Sequence, residues 1–518
     1  MALFRAVATV GGLTMLSRFA GFARDILMAA ILGAGPIADA FFVALKLPNV
    51  FRRITAEGAF SLAFVPMFSG MEETKGTDDA MRFAAEAQAV MLAIMLPFVV
   101  AMIFAMPWVI NIITPGFADD PLRYNLAVEL SRYTFPYILL MSLVALYGGV
   151  LNSFSRFAAF AVAPIFFNLT LIAALLFFTD TFETPAHALA IAVTLSGIIQ
   201  LAWMLGNASR FKLVIKFNRP VFNDRIKKLF RLMGPAVLGA GVVQINLVID
   251  LLLASFLEKG AISFLYYADR LYQLPLSVVG IAIGTAMLPM LSRKIKAADM
   301  DGARKLMRQA ILFSLIMAVP ASAALIVLSS DIMITLFERG EFTRADSLAS
   351  SAALNAYALS LPAFILVKVF STMFFASEDT KTPVKYAIIG TVVNTTLGII
   401  LIQFLSYVGI ALATAIAAWV QVILLTMAVR RKLPNVWQGL KMKAVKIVVA
   451  ALAMAGVLSV LTGLYQPEAM IERIIFLSCL VAAGATTYFV VIFASRAMTL
   501  GDFKKILKRD QAIMDKKE

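Results

Sequence analysis

Long apolar runs, each close to twenty residues or more, follow one another along the whole chain and are separated by short polar segments. A run of this length crosses the ~30 Å hydrocarbon core of a bilayer as a helix. The runs lack the alternation of barrel strands, and lipid-exposed backbone must be hydrogen-bonded internally, so the pattern predicts an all-α polytopic membrane protein. About fourteen transmembrane helices are predicted, over 6–32, 37–67, 83–113, 126–151, 158–178, 186–206, 226–256, 262–291, 309–330, 348–376, 383–404, 407–429, 444–464 and 474–495.

The connections between these runs alternate in charge. Residues 207–231 hold eight Lys or Arg against one acid, and residues 430–446 hold six against none. The loops of the opposite set together hold five basic residues against ten acids. Because basic loops stay in the cytoplasm, both termini are predicted to be cytoplasmic. The loop 69–82, predicted inside yet acidic, is the weak point of this topology.

An internal repeat divides the chain. Leu47-Pro48 is followed by a Val-Pro-Met-Phe-Ser sequence, and Leu274-Pro275 by Leu-Pro-Met-Leu-Ser, some 220–230 residues later. Six helices in each copy give both copies the same orientation. The repeat predicts an N-lobe of helices 1–6 and a C-lobe of helices 7–12 around a central cavity, followed by an added helix pair with a basic cytoplasmic tail. The three parts are 1–221, 222–432 and 433–518.

The first two predicted spans carry eight charged side chains, although such a group costs roughly 2.5–3.5 kcal/mol at the bilayer centre. They are Arg18, Arg24, Asp25, Asp39, Lys46, Arg52, Arg53 and Glu57. A seven-residue spacing places Asp39, Lys46 and Arg53 on one side of a helix, with Glu57 one turn further on. Since five cations accompany three acids, we expect a cationic, water-filled cavity that receives an anion. The alternative is that these charges only pair with one another. Pro48, inside the second span, predicts a kink.

The second half carries fewer charges at depth. Asp269 and Arg270 precede Leu274-Pro275, and Arg270 is expected to enter the same central space. Asp250 lies within an apolar run and is a candidate proton or Na⁺ site, together with Asp379 or Asn394. A structural pairing of Asp250 with a neighbouring helix fits the sequence equally well.

The remaining composition limits the classes of function that fit the chain. The net charge of +15 could suggest nucleic acid, but the basic residues flank the spans and suit anionic membrane lipids instead. The single histidine, His187, is expected at the surface. No metal cluster, cofactor motif or nucleotide-binding loop is recognisable, so the candidate driving forces are the membrane potential and a monovalent cation, Na⁺ or H⁺.

Several long motifs resemble one known family. These are SRFAGFARDILMAAILGAGPIADAFFVALKLPNVFRRITAEGAFSLAFVPMFS, FPYILLMSLVALYGGVLNSFSRFAAFAVAP, YYADRLYQLPLSVVGIAIGTAMLP and KTPVK. They resemble the MurJ (MviN) family of lipid II flippases, within the multidrug/oligosaccharidyl-lipid/polysaccharide exporter superfamily. The resemblance weakens after about residue 432. It implies that Arg18, Arg24, Arg52 and Arg270 bind substrate, with Asp25, Asp39, Arg53 and Glu57 as further cavity charges.

The resemblance also implies a function. The expected substrate is lipid II, an undecaprenyl-diphosphate-linked disaccharide peptide, which is moved from the inner to the outer leaflet by alternating access for cell-wall synthesis. The expected location is the bacterial cytoplasmic (inner) membrane, with other cell-wall proteins as candidate partners. The rival hypotheses are an exporter of drugs or another polyprenyl-linked oligosaccharide, a polytopic enzyme acting on lipid-linked sugars, and a scaffold. A guanidinium excess at membrane depth favours the flippase, because guanidinium groups bind phosphate and carboxylate in a bidentate way.

Overall fold

A computed structural model describes residues 2–465 and 467–496, apart from the side chains of 2–8, 55–57, 236, 238–240, 242–243, 278–279 and 281–286. The described chain is helical and contains no strand, which confirms the predicted all-α fold class. The helices are α1 (Ala2–Leu32), α2 (Pro36–Ile54), α3 (Ser61–Lys75), α4 (Thr77–Ile113), α5 (Pro121–Thr134), α6 (Tyr137–Ser153), α7 (Phe157–Phe177), α8 (Pro185–Arg210), α9 (Asp224–Ser255), α10 (Ala261–Lys296), α11 (Met300–Val327), α12 (Ser329–Phe337), α13 (Arg344–Ala358), α14 (Leu361–Ala376), α15 (Lys381–Lys432), α16 (Leu440–Leu464) and α17 (Met470–Ala494).

The predicted spans all fall on helices, but the spans 37–67, 126–151 and 348–376 each cover two of them, α2 with α3, α5 with α6 and α13 with α14. Within the described residues, ten continuous helical segments are long and apolar enough to cross a membrane. One of them, α15, is broken at Ser406, where φ is 47° and ψ is −135°, and this break separates the predicted spans 383–404 and 407–429. The charged or partly described helices α1, α9 and α10 are not among the ten. The number fourteen therefore stays a prediction.

Prolines inside the helices create a recurring requirement for side-chain donors. Proline has no N–H, so the carbonyl four residues before it loses its helical partner. The helix α2 continues through Pro48, and the hydroxyl of Thr134 donates to the freed carbonyl of Ala44 at 2.7 Å. The backbone leaves α-helical geometry only later, in a π-helical segment over Thr55–Phe60. The same logic explains why the hydroxyl of Tyr488 donates to Ile316, four residues before Pro320.

The first compact unit comprises residues 1–266 together with the distant segment 337–346. Within it, α1 packs on α7, α7 on α8, and α2 on α5. The phenylalanines Phe64, Phe68 and Phe83 are fully buried between α3 and α4, with Phe64 and Phe83 stacked at 5.5 Å. This unit contains most of the predicted charged residues, held within well-packed apolar helices.

The turn between α1 and α2 is fixed by close backbone approaches. Gly33 has φ of +65°, and a Cβ there would lie 2.6 Å from the carbonyl oxygen of Glu341. Gly340 has φ of +57°, and its Cβ would lie 2.1 Å from the carbonyl oxygen of Ala30, which accepts a 2.8 Å hydrogen bond from the N–H of Glu341. Only glycine tolerates both the positive φ and the contact. The segment 337–346 is thereby fastened to the end of α1.

The second compact unit comprises residues 267–336 and the described residues between 347 and 496. In its described part, α11 packs on α16 and α16 packs on α17, around a cluster that includes Ile447, Met454, Leu480 and Tyr488. The predicted added pair therefore corresponds to α16 and α17. The contact units divide the chain at residue 266 and not at 221, because α9 packs against α2, α3 and α4. The three-part domain division stays a prediction about membrane organisation.

Candidate functional site

A buried network joins Arg24 and Asp25 of α1 to α7 and to the first turns of α10. Arg24 and Asp25 are 6 % and 3 % exposed. The Arg24 guanidinium donates from Nε and Nη2 to Asp25 Oδ1, at 3.1 and 2.6 Å, and from Nη1 to Asn168 Oδ1 at 2.9 Å. The hydroxyl of Tyr266 donates to the same Asp25 oxygen at 3.1 Å. The hydrogen bonds that join Arg24, Asp25, Asn168 and Tyr266 to one another all connect side chains.

The packing of α1 on α7 positions this network. Ser17, Gly21 and Arg24 lie about one turn apart on the side of α1 that meets α7. Gly21 lets α7 approach, since a Cβ there would already lie 3.4 Å from the Asn168 amide. That amide also donates to the carbonyl of Ser17 at 2.9 Å, so Asn168 bridges two turns of α1. The Arg24 guanidinium is 8 residues from the end of α1, about 12 Å along the helix, and so lies deep within the span.

A second buried carboxylate, Asp39 of α2, also binds the beginning of α10. Its Oδ2 accepts from the backbone N–H of Gly260 at 2.7 Å, and its Oδ1 accepts from the N–H and hydroxyl of Ser263 at 3.0 and 2.7 Å. Asp39 is fully buried. It therefore caps α10 from a neighbouring helix, supplying the acceptors that the first N–H groups of a helix lack. Arg123 Nη1 lies 3.9 Å from Asp39 Oδ2 and adds a weaker charge contact.

The cap continues into a cluster at the end of the membrane segments. Arg123 of α5 donates from Nε to Asp120 Oδ2 at 3.0 Å, and its guanidinium lies 4.7 Å from the centre of the Phe117 ring. Lys259 Nζ lies 3.2 Å from the same Asp120 oxygen. Burial raises the pKa of Asp120, but the hydrogen bonds and charges of Lys259 and Arg123 outweigh it and lower the pKa below its ordinary value. Asp120 is therefore held ionised.

The charged residues predicted to share one side of α2 differ in their exposure. Asp39 is buried, Lys46 is half-buried and Arg53 is exposed. Arg52, half-buried, donates from Nε to Asn49 Oδ1 at 3.2 Å. The side chain of Glu57 lies outside the described residues. Arg18, on α1, is half-buried.

The predicted residues of the second unit lie along α10. Arg270 and Asp269 are both half-buried, and Asp269 accepts a hydrogen bond from the amide of Gln273. The structure places Arg270 one turn beyond Tyr266, the residue that touches Arg24 and Asp25.

The three candidate ion-site residues have different surroundings. Asp250 is half-buried and lies 3.4 Å from the Asn246 amide. Asp379 accepts from the N–H and hydroxyl of Thr382, at 3.1 and 2.9 Å, and from Lys432 Nζ at 3.0 Å.

Asp379 and Asn394 do not form one site. Desolvation raises the pKa of Asp379, but its contacts with Thr382 and Lys432 outweigh that cause and lower the pKa, as expected for a paired helix cap. Asn394 is buried and accepts from Thr414 at 3.2 Å. The two residues are separated by about 20 Å along α15.

The sequence analysis did not identify three residues that take part in these networks. One of its expectations is also wrong. Ser263 and Arg123 carried no signal, while Tyr266 stood in the highlighted Tyr-Tyr-Ala-Asp-Arg sequence without being chosen. His187 was expected at the surface but is only 5 % exposed. It lies in the first turn of α8, where its imidazole Nδ1 is 2.9 Å from the Thr184 hydroxyl and its ring packs against Tyr133 of α5.

Known proteins with similar sequences have one name in common. A family model described as the lipid II flippase MurJ matches residues 28–480. A probable lipid II flippase MurJ of Rhizobium tropici is 40 % identical over 519 residues, covering 98 % of this chain and 97 % of that one. The probable lipid II flippase MurJ of Rhizobium meliloti (strain 1021) is also 40 % identical, over 528 residues, with the same coverage of both chains.

Solved structures give the same picture. A lipid II flippase MurJ in an inward closed conformation matches with a TM-score of 0.77 at 26 % identity, over 97 % of this chain and 99 % of that one. An inward-facing multidrug resistance transporter of the MATE family, in the MOP superfamily, matches with a TM-score of 0.68 at 13 % identity. That match covers 84 % of this chain and 99 % of the transporter, and it indicates a shared fold.

Proposed function

This chain belongs to the MurJ family of lipid II flippases, and from that premise we propose that Arg24 receives the anionic head group of lipid II during its passage. The protein is accordingly a membrane transporter and not an enzyme. The proposal concerns the residues, the route and the energy source. Arg18, Arg52 and Arg270 are proposed as further contacts to the same head group.

The observation that carries the proposal is the side-chain character of the Arg24 network. Arg24 donates to Asp25 and Asn168, and both acceptors belong to side chains that can change rotamer. A diphosphate or peptide carboxylate can take the place of Asn168 and share the guanidinium with Asp25, since Arg presents five donors in a planar fork. Exchanging one acceptor for another avoids exposing an unpaired buried charge, which is the costly event at membrane depth.

The proposed transport cycle is alternating access, with the polyprenyl tail remaining in lipid. We propose that both termini lie in the cytoplasm. Movement of an anion from the cytoplasm to the outside is favoured by an inside-negative potential, by about 2.3 kcal/mol per charge per 100 mV. A diphosphate that crosses without its counter-ions would gain several kcal/mol. A monovalent cation is the alternative driving force, for which Asp250 is the candidate ligand. The proposed location is the bacterial inner membrane, with other cell-wall proteins as candidate partners.

The test is translocation of lipid II in vesicles that contain the purified protein, with and without an imposed inside-negative potential. The wild-type protein is expected to move lipid II unchanged, and faster with the potential. Arg24→Ala and Arg270→Ala are each expected to abolish movement while inserting normally, and Arg219→Ala, at an exposed linker arginine, is the matched control.

Each outcome bears on a different part of the proposal. Absence of lipid II movement by the wild-type protein would refute the function. Full activity of Arg24→Ala would refute the binding role while leaving the function intact. Equal rates with and without the potential would exclude it as the energy source.

A further inference from the structure

The helix α5 presents a polar face that contains none of the proposed head-group contacts. Asn125, Val128, Glu129, Arg132 and Tyr133 line a pocket of about 360 Å³. Their spacing places all five on one side of the helix. Asn125, Arg132 and Tyr133 are exposed, although α5 lies within a membrane-spanning segment. Exposed charged groups at such a position are expensive unless something binds them.

The guanidinium of Arg132 is held against the neighbouring helix α4. Its Nε donates to the carbonyl of Ile103 at 3.2 Å. That carbonyl has no helical partner because the residue four positions later is Pro107. Ile103 lies ten residues before the end of α4, and Arg132 eleven residues after the start of α5, about 15 Å from the helix end in each case. The continuous segment Pro121–Ser153 is about 50 Å long and exceeds a ~30 Å hydrocarbon core by about 20 Å. When that excess is shared between its two ends, Arg132 lies about 5 Å inside the edge of the core, within reach of a lipid phosphate. Of the five Arg132 donors, only Nε has a partner within the part of the chain that the structure describes.

A carboxylate lies one turn away on the same face. Glu129 Oε1 is 3.4 Å from the Tyr133 hydroxyl and 3.5 Å from Nε2 of His187. The Glu129 side chain is nevertheless 47 % exposed. Among the described residues, no ion pair joins Glu129 to Arg132, although three positions separate them on the helix. The pocket therefore offers one negative and one positive group side by side, both accessible.

Large apolar side chains are exposed along the neighbouring helix α4. Phe104, Trp108 and Ile112 of α4 are 73 %, 69 % and 71 % exposed and follow one another every fourth residue. They belong to the helix that α5 contacts at Ile103 and, through the Tyr124 hydroxyl, at the Pro107 carbonyl. A stripe of this kind on a membrane-spanning helix faces acyl chains. The pocket thus lies where a lipid head group and its tails can be bound together.

We propose that this face of α5 binds the head group of a zwitterionic phospholipid with a primary ammonium, its phosphate on Arg132 and its ammonium on Glu129. A purely anionic head group would meet Glu129, and a purely cationic one would meet Arg132, so a ligand carrying both charges fits the pair. A primary ammonium has N–H groups to donate to the carboxylate, whereas a trimethylated ammonium has none. Asn125 and Tyr133 supply further polar contacts to the phosphate or glycerol oxygens.

The probe is native mass spectrometry of the purified, delipidated chain after addition of phosphatidylethanolamine, phosphatidylcholine or phosphatidylglycerol. The wild-type protein is expected to retain phosphatidylethanolamine about tenfold more than phosphatidylcholine, the value of one hydrogen bond between charged groups. Glu129→Gln is expected to abolish that preference, and Arg132→Gln to weaken binding of both lipids. Arg82→Gln, at an exposed arginine towards the other end of α4, is the matched control and is expected to bind as the wild type does.

The result can overturn the proposal in two ways. Equal retention of phosphatidylethanolamine and phosphatidylcholine by the wild-type protein would remove the role of the ammonium. Retention of phosphatidylglycerol as strong as that of phosphatidylethanolamine would make the site a simple anion site. Because Arg132 also satisfies the Ile103 carbonyl, Arg132→Gln can lower stability. The head-group preference of the wild-type and Glu129→Gln proteins therefore tests the proposal without the Arg132→Gln variant.

Discussion

Two carboxylates from adjacent helices hold the same end of α10, and they do so in different ways. Asp39 accepts from the backbone N–H groups of Gly260 and Ser263. Asp25 accepts from the side chains of Arg24 and Tyr266. Both carboxylates are almost completely buried, so burial alone does not distinguish them.

The difference lies in what can be exchanged. A main-chain donor at a helix end cannot turn to another acceptor unless the helix end unwinds, so Asp39 fixes the position of α10. Side-chain donors can change partner by rotamer changes alone, which occur quickly and at low cost. We therefore assign substrate contact to the Arg24 and Asp25 network and a structural role to the Asp39 cap, and each prediction below tests that division.

Among the variants that test this division of roles, the largest effect is expected from Arg24→Lys. Lysine keeps the charge but has a single donor atom, so it cannot hold Asp25, Asn168 and an incoming phosphate together. The loss of about 2–3 kcal/mol of charged hydrogen bonding corresponds to a roughly 100-fold slower translocation of lipid II in vesicles. The melting temperature in detergent should stay close to that of the wild type, because the predicted loss concerns substrate binding and not folding.

The control for this variant is Arg156→Lys, at an arginine that lies over the Phe211 ring at the other end of the helices. It is expected to translocate at the wild-type rate. If Arg24→Lys were as active as Arg156→Lys, the fork geometry of the guanidinium would be irrelevant, and the proposed exchange of acceptors would fail.

The second prediction concerns the structural half of the comparison. Asp39→Asn replaces one carboxylate oxygen by an amide group, which cannot accept from the N–H of Gly260 or Ser263. One buried donor is then left without an acceptor, at a cost of about 1–3 kcal/mol. Thermal unfolding in detergent should therefore show a clear decrease in stability, larger than that of Arg24→Lys.

The matched control is Asp224→Asn at the start of α9, where the carboxylate is fully exposed. It should unfold at the wild-type temperature. An Asp39→Asn protein of wild-type stability that had lost translocation would reverse the assignment and make Asp39 a substrate contact.

Tyr266→Phe tests the link between the two networks. The variant removes the hydroxyl that donates to Asp25 but retains the ring, which stacks on Phe42 with 3.9 Å between centroids. The lost hydrogen bond is worth about 1 kcal/mol, so translocation should slow by roughly fivefold. Tyr124→Phe, which loses a hydrogen bond to the Pro107 carbonyl, should lower stability by a similar amount with no change in rate. Equal rates for the two variants would separate α10 from the substrate site.

The sequence could predict one part of this arrangement and not the other. Helix positions followed from hydropathy, because bilayer thickness sets the length of an apolar run. The seven-residue spacing of Asp39, Lys46 and Arg53 predicted a shared side of α2, but not that Asp39 would be buried while Arg53 is exposed. The partners of Asp39, Gly260 and Ser263, lie more than 220 positions away, and no local period reveals such a pairing. The Arg24–Asn168 contact escaped for the same reason.

The smallest predicted effect is a pH dependence at the edge of the Asp39 cap. The pKa of Asp120 is below its ordinary value, because the contacts with Lys259 and Arg123 outweigh desolvation. A carboxyl group with a lowered pKa contributes stability above the ordinary value of about 4, and that contribution disappears as the pH falls through the folded-state value. The melting temperature should therefore fall between about pH 5 and pH 3, and less steeply in Asp120→Asn than in the wild type. Identical slopes in the two proteins would show that Asp120 does not support the cap electrostatically, and that Arg123 is held by Asp39 and the Phe117 ring alone.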